Sequence, residues 1–416
     1  MNDLLHFLNA SPTAFHAADA ITQILKTRGY RELAENQRWE LVPGGKYYVT
    51  RNSSAVIAFV QPVTPLSGFA IALSHLDSPG LRIKWPSLRT VAGCLVAPVE
   101  RYSANIDSTW LDHPLTIAGR VVTRELEERL IAFPGPVAVI PNLAIHLNRN
   151  ANQGTEYNPQ TQLSAILGDV TPEEFRRAVA NLARCAPEDI LDTELCLADA
   201  TPATVVGLAS DMITSSRLDN LLAADAMLCG LCVLPEDKTT RRAPVAFFAD
   251  NEEIGSRTPQ GADSCFLRDI LERIVLAGSG TREDFLAALA SSQLLSVDAA
   301  HAVHPNYMDR YDLSTSPLIN RGIVLKRNAN GRYATTPSTA SSLMLLCEAA
   351  DIPVQTFLIR SDLPCGSTVG PMTAARLGIP AADIGNAMWA MHSVRETAGL
   401  TDQKWMRKLL AAYFAQ

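Results

Sequence analysis

The sequence lacks several features that define large classes of proteins. It has no run of about 18 apolar residues, which a membrane-spanning helix needs, so we expect no membrane partner. Its net charge of −7 leaves no basic excess for binding nucleic acid. The first residues, MNDLLHFLNASPTAF, lack a basic segment followed by an apolar core, and the eight cysteines have no framework spacing. These absences predict reduced thiols and a cytoplasmic protein.

The length and the change of sequence pattern along the chain predict two domains, one inserted into the other. A chain of 416 residues with 47% hydrophobic residues can bury full globular cores. Residues 1–87 and 208–416 alternate strand-like and helical segments, which predicts an α/β sandwich around a mostly parallel sheet. Residues 88–207 contain short β-like runs separated by proline and polar stretches, with one clear helix at 172–185. We therefore expect an inserted β-rich domain in this middle part.

Acidic and histidine residues cluster around the strand-like apolar runs of the two outer segments. Such residues follow FAIALS, VAFFADN and LLSV, and others lie in SRLDN and MWAMHS. Two histidines and three carboxylates, one of them shared, suffice for two divalent metals, and a further carboxylate can act as a base. This inventory is typical of metal-assisted hydrolysis and favours a two-metal peptidase. The residues are His75, Asp219, Glu252, Glu253, Asp298 and His392, with Asp77 as an additional carboxylate two positions after His75.

The local patterns leave several roles open. His75 and Asp77 face the same side of an extended strand, so Asp77 either shares the metal or accepts a hydrogen bond from His75. Glu252 and Glu253 repel each other unless a cation neutralises them, which predicts one ligand and one general base. Asp219 stands at the start of a predicted helix, where an N-cap is the competing interpretation.

Two further segments offer candidates for substrate binding. His301 and His304 follow Asp298 and are ligands by residue type, although they can equally orient substrate or pack. The segment LPCGSTVGP places Gly366, Ser367 and Thr368 before a helix, where N–H groups and hydroxyls can hold an oxyanion or simply cap the helix.

The joint order of these motifs resembles one protein family. HLDSPGLRIK, SRLDN, DNEEIGS, SVDAAHAVHPNY, LPCGSTVGP and AMHSVRE together resemble the M18 metallo-aminopeptidases, the aspartyl aminopeptidases, over nearly the whole chain. The resemblance implies a two-zinc α/β catalytic domain interrupted by a β-rich dimerisation domain. It implies that Asp219 bridges the metals, with the pair His75 and Asp298 on one side and the pair Glu253 and His392 on the other. Glu252 is then the general base, and Asp77 supports His75.

The resemblance also implies a substrate and an assembly. The family removes N-terminal residues from peptides with a preference for Asp or Glu, and it forms dimers that often stack into dodecamers. Lys326 lies in GIVLKRNANGRYAT, which is similar to the family's segment lining the pocket for the first residue, so it is expected to pair with a substrate carboxylate. His146 is implied to reach the neighbouring subunit's site, although an interface role is the local alternative.

Some alternatives stay open from the sequence alone. His and carboxylate ligands without thiolates suit zinc, and manganese or cobalt equally by donor type. A broad-specificity or neutral-preferring aminopeptidase, a carboxypeptidase or a deacetylase can use the same scaffold. A non-catalytic oligomeric relative is the remaining alternative, and the presence of every ligand together with Glu252 argues against it. The paired cysteines Cys229 and Cys232 lie in an apolar run and are predicted to be a buried helix end.

Overall fold

The computed structural model describes residues 2–62, 66–235 and 240–416. Helices and strands alternate through most of this part. The α-helices are α1 (Asn2–Asn9), α2 (Ala14–Thr27), α3 (Pro159–Gln162), α4 (Pro172–Ala183), α5 (Leu218–Cys232), α6 (Phe266–Ala277), α7 (Arg282–Ala290), α8 (Pro337–Ala349), α9 (Val369–Leu377) and α10 (Leu400–Phe414). Among the residues described, no helix combines the length and the apolar character that crossing a membrane requires.

The strands fall into four sheets. In chain order they are β1 (Arg31–Glu32), β2 (Lys46–Arg51), β3 (Ala55–Val60), β4 (Gly68–His75), β5 (Gly80–Ile83), β6 (Arg89–Val91), β7 (Cys94–Ala97), β8 (Val99–Tyr102), β9 (Leu115–Thr123), β10 (Glu128–Ala132), β11 (Ala165–Ile166), β12 (Ile190–Asp199), β13 (Thr204–Val206), β14 (Met212–Ser215), β15 (Arg242–Ala249), β16 (Gln293–Val297), β17 (Ala300–His301), β18 (Ile323–Lys326), β19 (Val354–Phe357), β20 (Ala381–Gly385), β21 (Ala387–Trp389) and β22 (Glu396–Gly399).

The largest sheet has nine strands in the order β1-β2-β3-β15-β4-β16-β20-β18-β19. Its four central strands, β15, β4, β16 and β20, run parallel to one another. The carboxyl ends of these strands therefore meet at one edge of the sheet. In open α/β sheets this edge is where ligands bind, because connecting loops and helix ends converge there.

Helices cover both faces of this sheet, which is why most side chains of its central strands are apolar. In β4 the side chains of Phe69, Ile71 and Leu73 join one buried cluster, whereas Ala70 and Ala72 join the other. The strand period of two residues sends alternate side chains to opposite faces, and both faces are buried. Helices α6, α7 and α9 cover one face, and α1, α2, α5, α8 and α10 cover the other. The predicted α/β sandwich is confirmed.

The middle of the chain builds separate β-structure with its own core. Strands β10-β9-β12-β5-β8 form an antiparallel sheet, and β11-β7-β6 form a second one. Helix α4 packs on them through Phe175 and Val179, and it begins with a capping box between Thr171 and Glu174. Strand β5 lies before residue 88 and already belongs to the five-stranded sheet. The division of the chain at residues 88 and 207 stays a prediction.

A fourth sheet, β13-β14-β22-β21-β17, lies next to the carboxyl edge of the central sheet. The loop between β21 and β22 carries His392, and β17 ends at His301. This small sheet thus supplies side chains that the nine-stranded sheet cannot reach.

Candidate metal centre and active site

Three neighbouring parallel strands deliver four of the expected site residues to one place. His75 is the last residue of β4, Glu252 and Glu253 open a short 3₁₀ turn after β15, and Asp298 follows β16. Because β4 hydrogen-bonds with both β15 and β16, these strand ends are adjacent at the carboxyl edge. The convergence of side chains predicted from the strand ends is observed.

Asp219 and His392 reach the same place from other elements. Asp219 lies at the kinked start of α5, with φ −80° and ψ 105°, and it does not cap that helix. The N-cap interpretation is therefore wrong. One carboxylate oxygen of Asp219 is 3.5 Å from His75 Nε2, and the other is 3.6 Å from His392 Nε2. Asp219 lies between the two imidazoles.

The six side chains form overlapping groups that suit divalent cations. The ligand atoms of His75, Asp219 and Asp298 lie within 4.8 Å of one another, as do those of Asp219, Glu253 and His392. His75 with Glu252 and Glu253 forms a third such group. Nitrogen and oxygen donors without thiolates are a normal donor set for zinc.

Two buried oxygen atoms test this fit. Asp219 Oδ1 and Glu253 Oε1 are buried and accept no hydrogen bond from any residue that the structure describes. A buried carboxylate oxygen without a partner loses its hydration with nothing in return, which costs free energy unless a cation compensates. These residues therefore fit a metal ion in each of the two groups that share Asp219.

Main-chain carbonyls orient both histidines. His75 Nδ1 is 3.0 Å from the carbonyl oxygen of Asp77, and His392 Nδ1 is 2.9 Å from that of Ala104. With Nδ1 donating, Nε2 of each ring is left as the acceptor that faces the cluster. Of the two roles foreseen for Asp77, it is the hydrogen bond with His75 that the structure contains, made through the main chain.

The carboxylate of Asp77 holds the two glutamates. It accepts hydrogen bonds from the N–H groups of Glu252 and Glu253, each at 3.1 Å, and from the Tyr102 hydroxyl at 2.7 Å. One carboxylate thus sets the position of both candidate functional glutamates.

The crowding of acids shifts their protonation. Burial raises the pKa of Glu252 to about 8, and the nearby Asp298 carboxylate acts in the same direction. Burial, followed by the charge of Asp219, raises the pKa of Glu253 well above its ordinary value. Burial alone would lower the pKa of His75, but hydrogen bonds to Asp219 and Asp298 outweigh it and raise that pKa well above its ordinary value. Cations at the cluster would reverse these upward shifts.

Lys326 lies beside the cluster and is already engaged. Its side chain is only 2% exposed, and Nζ donates to the carbonyl of Ala299 at 2.9 Å. Nζ is also 3.5 Å from Asp298 Oδ2 and 5.1 Å from the centre of the Tyr333 ring. Although burial acts to raise the pKa of Asp298, this ammonium and His75 lower it below its ordinary value. The contact between Lys326 and Asp298 was not foreseen from the sequence.

The other expected substrate-binding residues have different surroundings. Thr368 is buried and caps α9, with Oγ1 accepting from the Gly370 N–H and donating to Asp383. The helix-cap alternative thus describes Thr368, and Ser367 Oγ donates to the Arg332 carbonyl at 3.1 Å. Gly366 and His301 are exposed. A substrate contact for these residues stays a prediction.

His146 does not join the cluster of its own chain. It lies in an exposed segment of the middle β-structure, where the apolar side chains of Leu143, Ile145 and Leu147 are also 50% to 76% exposed. Exposed apolar residues in one short segment are typical of a contact surface.

Glu396 is a functional residue that the sequence analysis missed. It is 2% exposed, and its carboxylate accepts hydrogen bonds from the main-chain N–H of Asp219 at 2.9 Å and of His392 at 2.8 Å. It therefore holds two candidate ligands from different elements. In the sequence, Glu396 is marked by its place in the motif AMHSVRE, four residues after His392. Tyr102 and Ser103 also contact the site, and no local pattern marks them.

The fold and the site define a metallopeptidase, and comparison with known proteins supplies the family. Residues 7–414 match the family model described as aminopeptidase I zinc metalloprotease (M18). The chain is 43% identical over 424 residues to a probable M18 family aminopeptidase 2 of Pseudomonas entomophila strain L48, covering 99% of this chain and 97% of that relative. This chain belongs to the M18 family of zinc aminopeptidases, as its motifs predicted.

Solved structures agree with this assignment. The cryo-EM structure of the Ape4 and Nbr1 complex contains a chain that superposes with a TM-score of 0.95 at 36% identity, covering 100% of this chain and 85% of that one. The S. cerevisiae mApe1 dodecamer superposes with a TM-score of 0.86 at 26% identity, covering 99% and 95% of the two chains. The whole described architecture is therefore shared.

The raised pKa values lead to a prediction about zinc binding. The raised pKa values of His75, Glu252 and Glu253 mean that these groups hold protons more tightly in the metal-free chain, so zinc binding should release protons and tighten as the pH rises. Calorimetric titration in two buffers of different ionisation enthalpy measures the number released. Glu252→Gln removes one titrating group and should release fewer protons. A binding enthalpy independent of the buffer would contradict the protonated cluster.

Proposed function

We propose that this chain is a two-metal aminopeptidase that releases acidic residues from the amino terminus of peptides. The observation that carries the proposal is the pair of ligand groups that share Asp219, with orphaned carboxylate oxygens aimed into them. In this assignment Asp219 would be shared between two zinc positions. His75 and Asp298 complete one metal position, and Glu253 and His392 complete the other. Manganese or cobalt can occupy the same donors.

Glu252 is the proposed general base. When bound, the metal ions would polarise the scissile carbonyl and lower the pKa of the attacking water. Glu252 takes the proton of that water and returns it to the leaving amine. A carboxylate beside the metal ligands is suited to this proton transfer. The Asp77 carboxylate bonds to the N–H of Glu252 and so keeps this base in place. The expected oxyanion donors are Gly366, Ser367 and Thr368, and His301 is expected to orient the substrate.

Lys326 is proposed to select acidic first residues. Its ammonium has three donors, of which one is bound by Ala299 and one faces Asp298. A substrate carboxylate can take the remaining donor, and the buried surroundings strengthen such a pair because little water competes for it. A neutral first residue would leave that donor unpaired, which opposes its binding.

We further propose that the active form is an oligomer in the cytoplasm. The exposed apolar segment around His146 supports a dimer contact made by the inserted domain, residues 88–207. The S. cerevisiae mApe1 relative is a dodecamer, which supports a similar assembly of such dimers. All eight cysteines are free, in keeping with a reducing compartment. His146 would act across the dimer contact on the substrate carbonyl.

The base assignment has a direct test in Glu252→Gln. The amide keeps the size of the side chain but cannot accept the proton, so turnover of a glutamyl substrate should fall about 10²–10⁴-fold. Zinc content, measured on the same sample, should stay at the wild-type value. Glu283→Gln, the same exchange at an exposed residue of α7, serves as the control. Near-wild-type turnover in Glu252→Gln would remove Glu252 from the base role.

The specificity assignment concerns Lys326→Leu. Losing the buried charge should cost glutamyl and aspartyl substrates about 3–5 kcal/mol of transition-state binding, while leucyl substrates should be spared. The ratio of kcat/KM values for paired substrates measures this, with zinc content checked because Lys326 also contacts Asp298. Lys408→Leu, an exposed lysine on α10, is the control. Equal cleavage of leucyl and glutamyl substrates by the wild-type enzyme would contradict the role of Lys326 in selecting acidic residues. Preference for an acetyl-blocked substrate would contradict the aminopeptidase assignment itself.

The trans role of His146 can be tested by mixing inactive subunits. His146→Ala should lower turnover without loss of metal or assembly, and Glu252→Gln is inactive for a different reason. A mixed dimer would contain one site with an intact Glu252 and an intact partner His146, so activity should return after subunit exchange. Absence of recovery, with mixed dimers demonstrated by mass spectrometry, would confine His146 to its own subunit or to the interface.

A further inference from the structure

One segment of the middle β-structure contacts the candidate metal ligands of its own chain. Residues 103–109, here called the insert arm, follow β8 and lie against the cluster. Ser103 Oγ donates to Glu253 Oε2 at 3.0 Å, and the carbonyl of Ala104 accepts from His392 Nδ1 at 2.9 Å. The arm thus holds the carboxylate of one candidate ligand and the ring of another.

The insert arm also holds the backbone next to His392. The Ile106 N–H donates to the His392 carbonyl at 3.1 Å, and Thr109 Oγ1 accepts from the Val394 N–H at 2.9 Å. His392 has φ 68°, a left-handed conformation that a non-glycine residue keeps only when its surroundings hold it. These contacts fix the direction from which the imidazole enters the cluster.

A buried ion pair anchors the same loop to the middle β-structure. Arg395 Nη1 donates to Asp199 Oδ2 at 2.5 Å, and its guanidinium also bonds to the carbonyls of Thr201, Pro202 and Thr214. Asp199 lies at the end of β12, and His113 Nε2 is 2.6 Å from its other oxygen. The loop at 392–396 is therefore tied to the middle β-structure at two separate places.

The other metal position has no such dependence. His75 is oriented by Asp77, and Asp298 is held by the Ile384 carbonyl and by Lys326. Within residues 2–62, 66–235 and 240–416, no hydrogen bond or ion pair joins the insert arm to His75 or Asp298. The hydrogen bonds and ion pairs that these two residues make directly come from the central sheet and its loops. Tyr102, the last residue of β8, reaches this side only through the Asp77 carboxylate.

We propose that the insert arm is a positioning element for one metal position only, the one formed by Glu253 and His392. The proposal rests on the two-metal function given above and assigns to the middle β-structure a task within its own chain, separate from any contact with a second subunit. Partners that orient metal ligands typically change metal affinity about 10–100-fold when removed. Loss of the arm's contacts should therefore weaken one metal and leave the other unchanged.

Ser103→Ala tests this when placed in two backgrounds. In Asp298→Ala the intact ligand group is Asp219 with Glu253 and His392, and in His392→Ala it is His75 with Asp219 and Asp298. Zinc affinity of the metal-free proteins is measured by competition with a chromophoric chelator. We expect Ser103→Ala to weaken binding about 10–100-fold in the first background and to leave the second within twofold.

Two further variants separate positioning from general stability. Ser314→Ala removes a similar hydroxyl-to-carboxylate bond, Ser314 Oγ to Asp312 at 2.6 Å, on an exposed loop, and should alter neither affinity. Asp199→Asn weakens the anchoring ion pair and should act like Ser103→Ala, whereas Asp225→Asn weakens the comparable pair with Arg407 and should lower thermal stability alone. Unfolding of each metal-free variant is followed in parallel.

The outcomes distinguish this proposal from the proposed function. Equal weakening in both backgrounds, or none in either, would overturn the positioning role. A wild-type chain that binds one zinc equivalent would instead contradict the two-metal function. In that case the arm's role stands if Ser103→Ala weakens the single equivalent and His392→Ala abolishes it, and it fails if Ser103→Ala has no effect.

Discussion

Concentrated negative charge at the carboxyl edge of the central sheet is the constraint on which the rest of the site depends. The strands β15, β4 and β16 end side by side, so the carboxylates that follow them cannot move apart. Two unit charges 4 Å apart interact by about 4 kcal/mol at an effective dielectric constant of 20. In the metal-free chain this repulsion favours the protonated carboxyl groups, as the raised pKa values of Glu252 and Glu253 indicate. Divalent cations would offset the same repulsion while the carboxylates stay deprotonated, which agrees with membership of a zinc metalloprotease family.

Two buried carboxylates that are not in the ligand groups organise those that are. Asp77 accepts the N–H groups of Glu252 and Glu253, and Glu396 accepts those of Asp219 and His392. Each one therefore links two site residues through the backbone. A buried carboxylate tolerates its loss of water only with such donors, so these pairings stabilise the acid and the ligand positions together. These bonds hold the site at the main chain, and Asp219 Oδ1 and Glu253 Oε1 keep no hydrogen-bond partner among the residues that the structure describes.

The middle β-structure belongs to the site as much as the central sheet does. Tyr102 holds Asp77, and its neighbour Ser103 holds Glu253, although both lie outside the α/β layers. The same part of the chain carries the exposed apolar segment around His146. The proposed contact between subunits and the support of the cluster would thus belong to the same part of the chain.

The sequence by itself determined the sheet, the helices around it and the residues at its strand ends. These features depend on local patterns: apolar runs, a capping box at Thr171, and the motifs that resemble the M18 family. Only the tertiary structure decided which groups support them. Ser103 meets Glu253 across 150 positions of sequence, and Ala104 meets His392 across 288. The pairing of Lys326 with Asp298 and the N–H contacts of Glu396 are equally non-local. Such partners carry no periodic signal, because a single polar residue acquires its role only when folding brings a distant charge or N–H group within hydrogen-bonding distance.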